Sequence, residues 1–242
     1  MSVRSDHRQI DLPTPLPRRD SATRGIRALV IGLLLIQAVV ALLNLTPFVE
    51  QSAVGEILNV NREATAIVWL TSAMLWTIAL LAVYAAAANW SIGVSRRGWM
   101  GWLVIAGGFS LLSVDETSQL HERIGDKFSD FVQVPFLPHL YSWVLIVAPI
   151  ALIGAIWMLK WISATVGSRS TTTRLAAAAV GVWVLVPGFE MLDPTLGAPD
   201  WLIVAEETCE TLGATLFLAA MLIYLREKNW LRLPKEPGPS SL

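Results

Sequence analysis

Residues 65–88 read TAIVWLTSAMLWTIALLAVYAAAA, 24 consecutive positions without a charge. As a helix at 1.5 Å per residue they reach about 36 Å, more than the roughly 30 Å of hydrocarbon in a bilayer. In lipid a backbone can satisfy its N–H and C=O groups only within its own segment or in a closed barrel, and a single stretch of this length therefore reads as a spanning α-helix. Working outward, five more apolar stretches are of the same kind: 28–46, 99–117, 139–159, 175–192 and 201–225. The expected fold class is all-α, a polytopic bundle of six membrane-spanning helices.

Composition agrees with this reading. The chain is 54 % hydrophobic and 15 % charged, against about 45–50 % and 25 % in soluble domains. The net charge of −1 carries little information, because what matters is how the charges partition along the chain. The single cysteine, Cys209, excludes an intrachain disulfide framework and a thiolate-rich metal site. The first span is too long and uninterrupted for a signal-peptide core, so it is expected to be retained. Residues 1–22 read as a disordered basic tail, 23–228 as the six-helix domain and 229–242 as a second disordered tail.

Lysine and arginine are retained on the cytoplasmic side of a membrane. With the N-terminus inside, 15 of the 18 Lys and Arg residues fall in cytoplasmic segments, and only Arg62, Arg123 and Lys127 fall outside. The acids do the reverse, 14 of 19 lying outside. The expected protein has both termini in the cytoplasm, in a plasma membrane of bacterial type, with membrane lipids as its immediate partners.

Counting helical rise from the basic residue that bounds each span estimates how deep its acids lie. Arg97 to Asp115 is about 27 Å, Arg174 to Glu190 about 24 Å, Arg226 to Glu210 about 24 Å and to Glu206 about 30 Å, and Lys160 to His139 about 31 Å. Four helices thus place ionisable groups in one slab about 7 Å thick near the outer boundary. Glu206, Glu207 and Glu210 share about 100° of arc on the last helix, and Gly213 continues the stripe with room for close packing. Glu190 and Asp193 follow Pro187, whose missing N–H predicts a kink. Asp115, Gln119, Glu122 and Asp126 would form a stripe on one continuous third helix, flanked by Glu116 and His121. That helix would hold Asp115 and Glu122 about 10 Å apart along its axis, too far to share an ion.

Several carboxylates in a partly desolvated slab repel one another, so something must offset the repulsion. A divalent ion does so directly, and oxygen donors with one or two histidines suit zinc, iron or manganese. Asp115, Glu116, Glu190, Glu207, Glu210 and His139 are the candidate metal ligands, and His121 and Glu122 the candidate catalytic acid and base. A simpler reading of Ser113-x-x-Glu116 is a capping box that starts a new helix. Gln37 and Asn44, seven residues apart on the first helix, are expected to hydrogen-bond neighbouring helices.

No HExxH helix, ExxH pair, GxSxG elbow or phosphate loop is present, and no basic, aromatic-interleaved groove points to nucleic acid. The expectation is a metal-dependent hydrolase or oxidoreductase acting on a lipid-like small molecule. A proton- or cation-coupled transporter is the alternative, and it would need polar groups continuing toward the cytoplasmic side. A non-catalytic assembly or sensor subunit is the third reading.

Overall fold

The computed structural model describes residues 18–60, 62, 65–129, 143–197 and 199–231. Among these residues the chain is all helix and turn: α1 (Arg18–Asn44), α2 (Phe48–Gln51), α3 (Ala53–Leu58), α4 (Ala66–Ser91), α5 (Arg96–Ser118), α6 (Leu120–Ser129), α7 (Trp143–Val166), α8 (Thr171–Trp183), α9 (Val186–Leu196) and α10 (Asp200–Glu227). Among the described residues, six segments are long and apolar enough to cross a membrane: Ser21–Asn44, Ala66–Ser91, Arg96–Ser118, Val147–Val166, Thr171–Leu192 and Asp200–Glu227. The protein is an integral membrane protein built as a six-span helical bundle.

Two boundaries differ from the sequence reading. The first helix reaches back to Arg18, into the stretch read as tail, because its arginines can extend from an interfacial turn toward water. The fourth span runs about seven residues further than expected at its C-terminal end, α7 continuing through Lys160 and Trp161 to Val166. A long basic side chain can snorkel within a helix end, so Lys160 does not mark where that helix stops.

The central helix is α10, which packs against α1, α4, α8 and α9. Small residues permit this: Gly213, Ala214, Thr215, Ala219 and Ala220 are all buried, letting neighbouring backbones approach. At Gly213 an added Cβ would sit 2.2 Å from the Trp183 indole nitrogen of α8. The α4–α5 hairpin is held by buried alanines at 79, 82, 85 and 86 and by a reciprocal serine pair. The Ser72 hydroxyl donates to the Ser113 carbonyl at 2.9 Å, and the Ser113 hydroxyl donates to the Ser72 carbonyl at 2.9 Å. Ser113 is therefore inside α5 joining two helices, and the capping-box reading of Ser113-x-x-Glu116 is set aside.

Polar side chains on α1 serve two different ends. Gln37 donates to the Thr215 hydroxyl of α10, and the Thr71 and Thr211 hydroxyls meet at 2.9 Å, forming a polar layer between α1, α4 and α10. Asn44 instead holds the connection between α3 and α4, donating to the Leu58 carbonyl at 2.8 Å and accepting from the Val60 N–H at 2.9 Å. Asn44→Leu strands both backbone groups, at a cost of about 2 kcal/mol. Trypsin cleavage after the neighbouring Arg62 is expected to accelerate in that variant, and an unchanged cleavage rate would remove the role given to Asn44.

Candidate functional site

Two interruptions shape the carboxylate-bearing end of the bundle. The fifth span breaks between α8 and α9, where Pro187 has no N–H to offer the Trp183 carbonyl and the chain turns through Val184 and Leu185. This fulfils the kink expected from Pro187, and Glu190 follows it on α9. The other interruption was not foreseen. The third span does not continue through residue 119: Gln119 adopts a left-handed conformation, φ 50° and ψ 45°, and its N–H donates to the Asp115 carbonyl at 2.7 Å. The helix ends there and α6 leaves as a separate element.

That break replaces the continuous stripe of Asp115, Gln119, Glu122 and Asp126. It folds the first turn of α6 onto the last turn of α5. The His121 backbone N–H donates to Asp115 Oδ1 at 2.8 Å, and the imidazole Nδ1 lies 2.8 Å from Asp115 Oδ2. Asp115 therefore caps α6, where a carboxylate is favoured by the positive end of the helix dipole. Arg123 supports the junction from the other side, its Nε donating to the Ser118 carbonyl at the end of α5 at 2.9 Å. Because a carboxylate only accepts, the ring proton sits on Nδ1, and Nε2 points to Glu122 at 4.0 Å.

The other acids gather around this pair. Glu116 lies within reach of the charges of Asp115 and Glu210, Glu207 of those of Glu116 and Glu190, and Glu210 of those of Glu207, Glu190 and Asp115. Glu206 hydrogen-bonds Glu190, a carboxyl–carboxyl contact that requires a proton or a cation between the two groups. Among the candidate residues, Asp115, Glu116, His121, Glu122, Glu190, Glu207 and Glu210 are linked by contact or by charge, on α5, α6, α9 and α10. His139 lies outside the described residues. Glu206, which the depth count put at the edge of the slab, joins the cluster; its position one helical turn from Glu210 was the available signal. Trp183 had no signal as a site residue. Its indole N–H donates to the Glu210 carbonyl at 3.0 Å and fixes the α8–α10 spacing beneath the acids.

Burial by itself would lower the pKa of His121, but the hydrogen bond to Asp115 and the charges of Asp115, Glu122 and Glu190 outweigh it, and the net direction is upward from 6.5. A raised folded-state pKa means that the protonated ring contributes stability. That contribution is complete below 6.5, the ordinary value, and is lost as pH rises through the folded value. In protein stripped of metal with chelator, the thermal midpoint is expected to fall across that window, and to fall less in His121→Gln, where only the neighbouring carboxyls still titrate. A wild-type profile no steeper than the variant's would refute the pairing.

Among the described residues, no three His, Cys, Asp or Glu side chains already stand at metal-ligand spacing around one point. The donor chemistry nevertheless fits a hard or borderline ion. It is oxygen-rich, with one imidazole whose tautomer is set by a carboxylate, the arrangement commonly found behind metal-binding histidines.

The fold and this cluster define a class: a six-span α-helical membrane protein with an aspartate–histidine pair and several neighbouring glutamates at one end of the bundle. The chain belongs to the family described as Domain of unknown function (DUF8692), whose model matches residues 27–225. No curated protein and no solved structure matches it.

Proposed function

We propose that the protein is a divalent-metal-dependent membrane enzyme that hydrolyses a lipid-like substrate at the carboxylate-bearing end of the bundle. The observation that carries this reading is the Asp115–His121 pair, 2.8 Å apart, with Nε2 turned toward Glu122. Glu116, Glu190, Glu207 and Glu210 would hold the ion, closing on it by side-chain rotation, with His139 as a further ligand. Asp115 would act through the imidazole it orients. A bound ion would supply Lewis acidity toward a carbonyl oxygen. His121, assisted by Glu122, would take the proton of the attacking water and return it to the leaving group as the acyl bond breaks. Such proton transfer is needed for hydrolysis, which is why it is preferred to oxidation here.

A lipid-like substrate is supported by the rim of the site. Val114, Leu120, Ile124, Met191 and Trp201 are exposed there, an apolar border continuous with the acyl region. The partition of lysine and arginine supports placing this end at the outer leaflet of a plasma membrane, with both termini in the cytoplasm.

The transporter alternative is disfavoured by the core below the acids. Below Thr215, Phe217, Leu218, Ala220 and Met221 on α10 are buried apolar residues, and among the described residues a buried polar contact returns on that helix only at the Asn89–Tyr224 hydrogen bond, about two and a half turns away. The deciding experiment is elemental analysis of protein purified in mild detergent, wild type beside Glu207→Ala and Glu210→Ala. One or two equivalents of zinc, iron or manganese, lost in the variants along with release of fatty acid from lipid extracts, are expected. Wild-type protein that takes up no metal on reconstitution would overturn the proposal.

A further inference from the structure

At the opposite end of the bundle a notch of about 430 Å³ is lined by Tyr84, Ala88, Ser91 and Ile92 of the α4 end and by Asn229 and Trp230 after α10. Its volume is in the range of small-molecule sites. The wall that follows α10 is held in place. Asn229 takes a left-handed φ of 57°, which turns the chain back so that the Trp230 N–H reaches the Leu225 carbonyl at 2.9 Å. The Tyr84 hydroxyl donates to the Trp230 carbonyl at 3.1 Å, tying that turn to α4. The Trp230 ring stands edge-on to Tyr224, centroids 5.8 Å apart.

The notch joins a polar mouth to an apolar track. Ser91, Asn229 and Tyr84 bring hydroxyl and amide groups, while Tyr84, Leu80 and Trp76 lie at four-residue spacing on one exposed face of α4 leading away from the mouth. Basic residues flank the notch along the chain, and Lys228 Nζ lies 5.9 Å from the ring of Tyr224, the residue against which Trp230 packs. Arg96 and Arg97 open α5 just beyond Ile92, and Lys228 precedes Asn229. The acid beside it, Glu227, is paired with Arg226 at 3.9 Å. A polar mouth, cations at its edge and an apolar track match one kind of molecule, an amphiphile with a negatively charged head.

We propose that this notch binds the headgroup of one anionic phospholipid, with its acyl chains lying along Tyr84, Leu80 and Trp76. The proposal depends on the membrane fold alone, so it stands or falls independently of the metal site. It also agrees with the orientation argued from charge, since anionic lipids concentrate in the cytoplasmic leaflet.

The test is native mass spectrometry of the delipidated full chain with phosphatidylglycerol or phosphatidylcholine added. One phosphatidylglycerol is expected to bind at least about tenfold more tightly than phosphatidylcholine. Lys228→Gln, which removes the adjacent charge, and Ala88→Phe, which fills the notch, should each erase that preference. Lys160→Gln, on α7 and outside the notch, should leave it intact. If Ala88→Phe does not fold, Ser91→Phe blocks the same notch from its exposed rim. Equal binding of the two lipids, retention of the preference in the filled notch, or equal loss in Lys160→Gln and Lys228→Gln would each overturn the proposal. The last outcome would assign the effect to diffuse surface charge.

Discussion

Leucine at Gly213 is expected to destabilise the bundle by about 2–3 kcal/mol, among the largest effects of any single substitution on its stability. A Cβ there would lie 2.2 Å from the Trp183 indole nitrogen and 2.5 Å from its Cδ1, and an indole clamped on both sides cannot retreat by rotamer change alone. Trp183 also packs against Phe109 and Phe217, with centroids 5.9 Å and 6.3 Å away, so displacement spreads into the core. Moving the ring breaks its bond to the Glu210 carbonyl. Leucine has the better helix propensity, by up to about 1 kcal/mol, which opposes but does not cancel the clash. Thermal unfolding in detergent measures the difference. Gly107→Leu is the control, since a Cβ at Gly107 meets nothing within 4 Å. Equal midpoints for the two variants would show that the α8–α10 contact is not closely packed.

Asp115→Asn is the substitution with the largest expected effect on the site. The amide oxygen can still accept from the His121 backbone N–H, so α6 keeps its cap and the fold should survive. The side-chain NH₂ now faces Nδ1, which must become an acceptor, and the ring proton moves to Nε2. Loss of the neighbouring charge also lowers the His121 pKa, since that hydrogen bond and charge are the leading upward influences on it. Turnover is expected to fall about 10- to 100-fold, the usual cost of losing a carboxylate that orients a working histidine. The chain contains three histidines, so NMR of histidine-labelled protein can follow the ring directly. An unchanged titration in Asp115→Asn would disprove the pairing, whereas a shifted titration with unchanged turnover would leave the pair intact and remove it from proton transfer.

Much of the site could be read from the sequence because depth along a transmembrane helix is nearly linear in residue number. Counting from Arg97, Arg174 and Arg226 put Asp115, Glu190 and Glu210 at one level, and Glu210 does lie within reach of the charges of the other two. Gly213 was legible for a related reason, as a small residue on the same stripe as three acids. Residues 115–122 were less legible. A left-handed residue is a common way to end a helix, but the position usually falls to glycine or asparagine, and glutamine carries no signature for it. A continuous helix therefore placed His121 and Glu122 a layer above Asp115, where the chain in fact turns back and joins them.

What the sequence by itself determined was the number of spans, the separation of basic from acidic ends, and the level at which the carboxylates sit. These follow from the bilayer, which imposes one length and one backbone solution on every crossing segment and sorts charge by side. Only the tertiary structure decided which neighbours share a contact: Asp115 with His121 through the turn at Gln119, Glu206 with Glu190 across α9 and α10, and Trp183 seated on Gly213. Those pairings depend on helix rotation and local breaks, which arise from packing between segments and leave no periodic trace along any one of them.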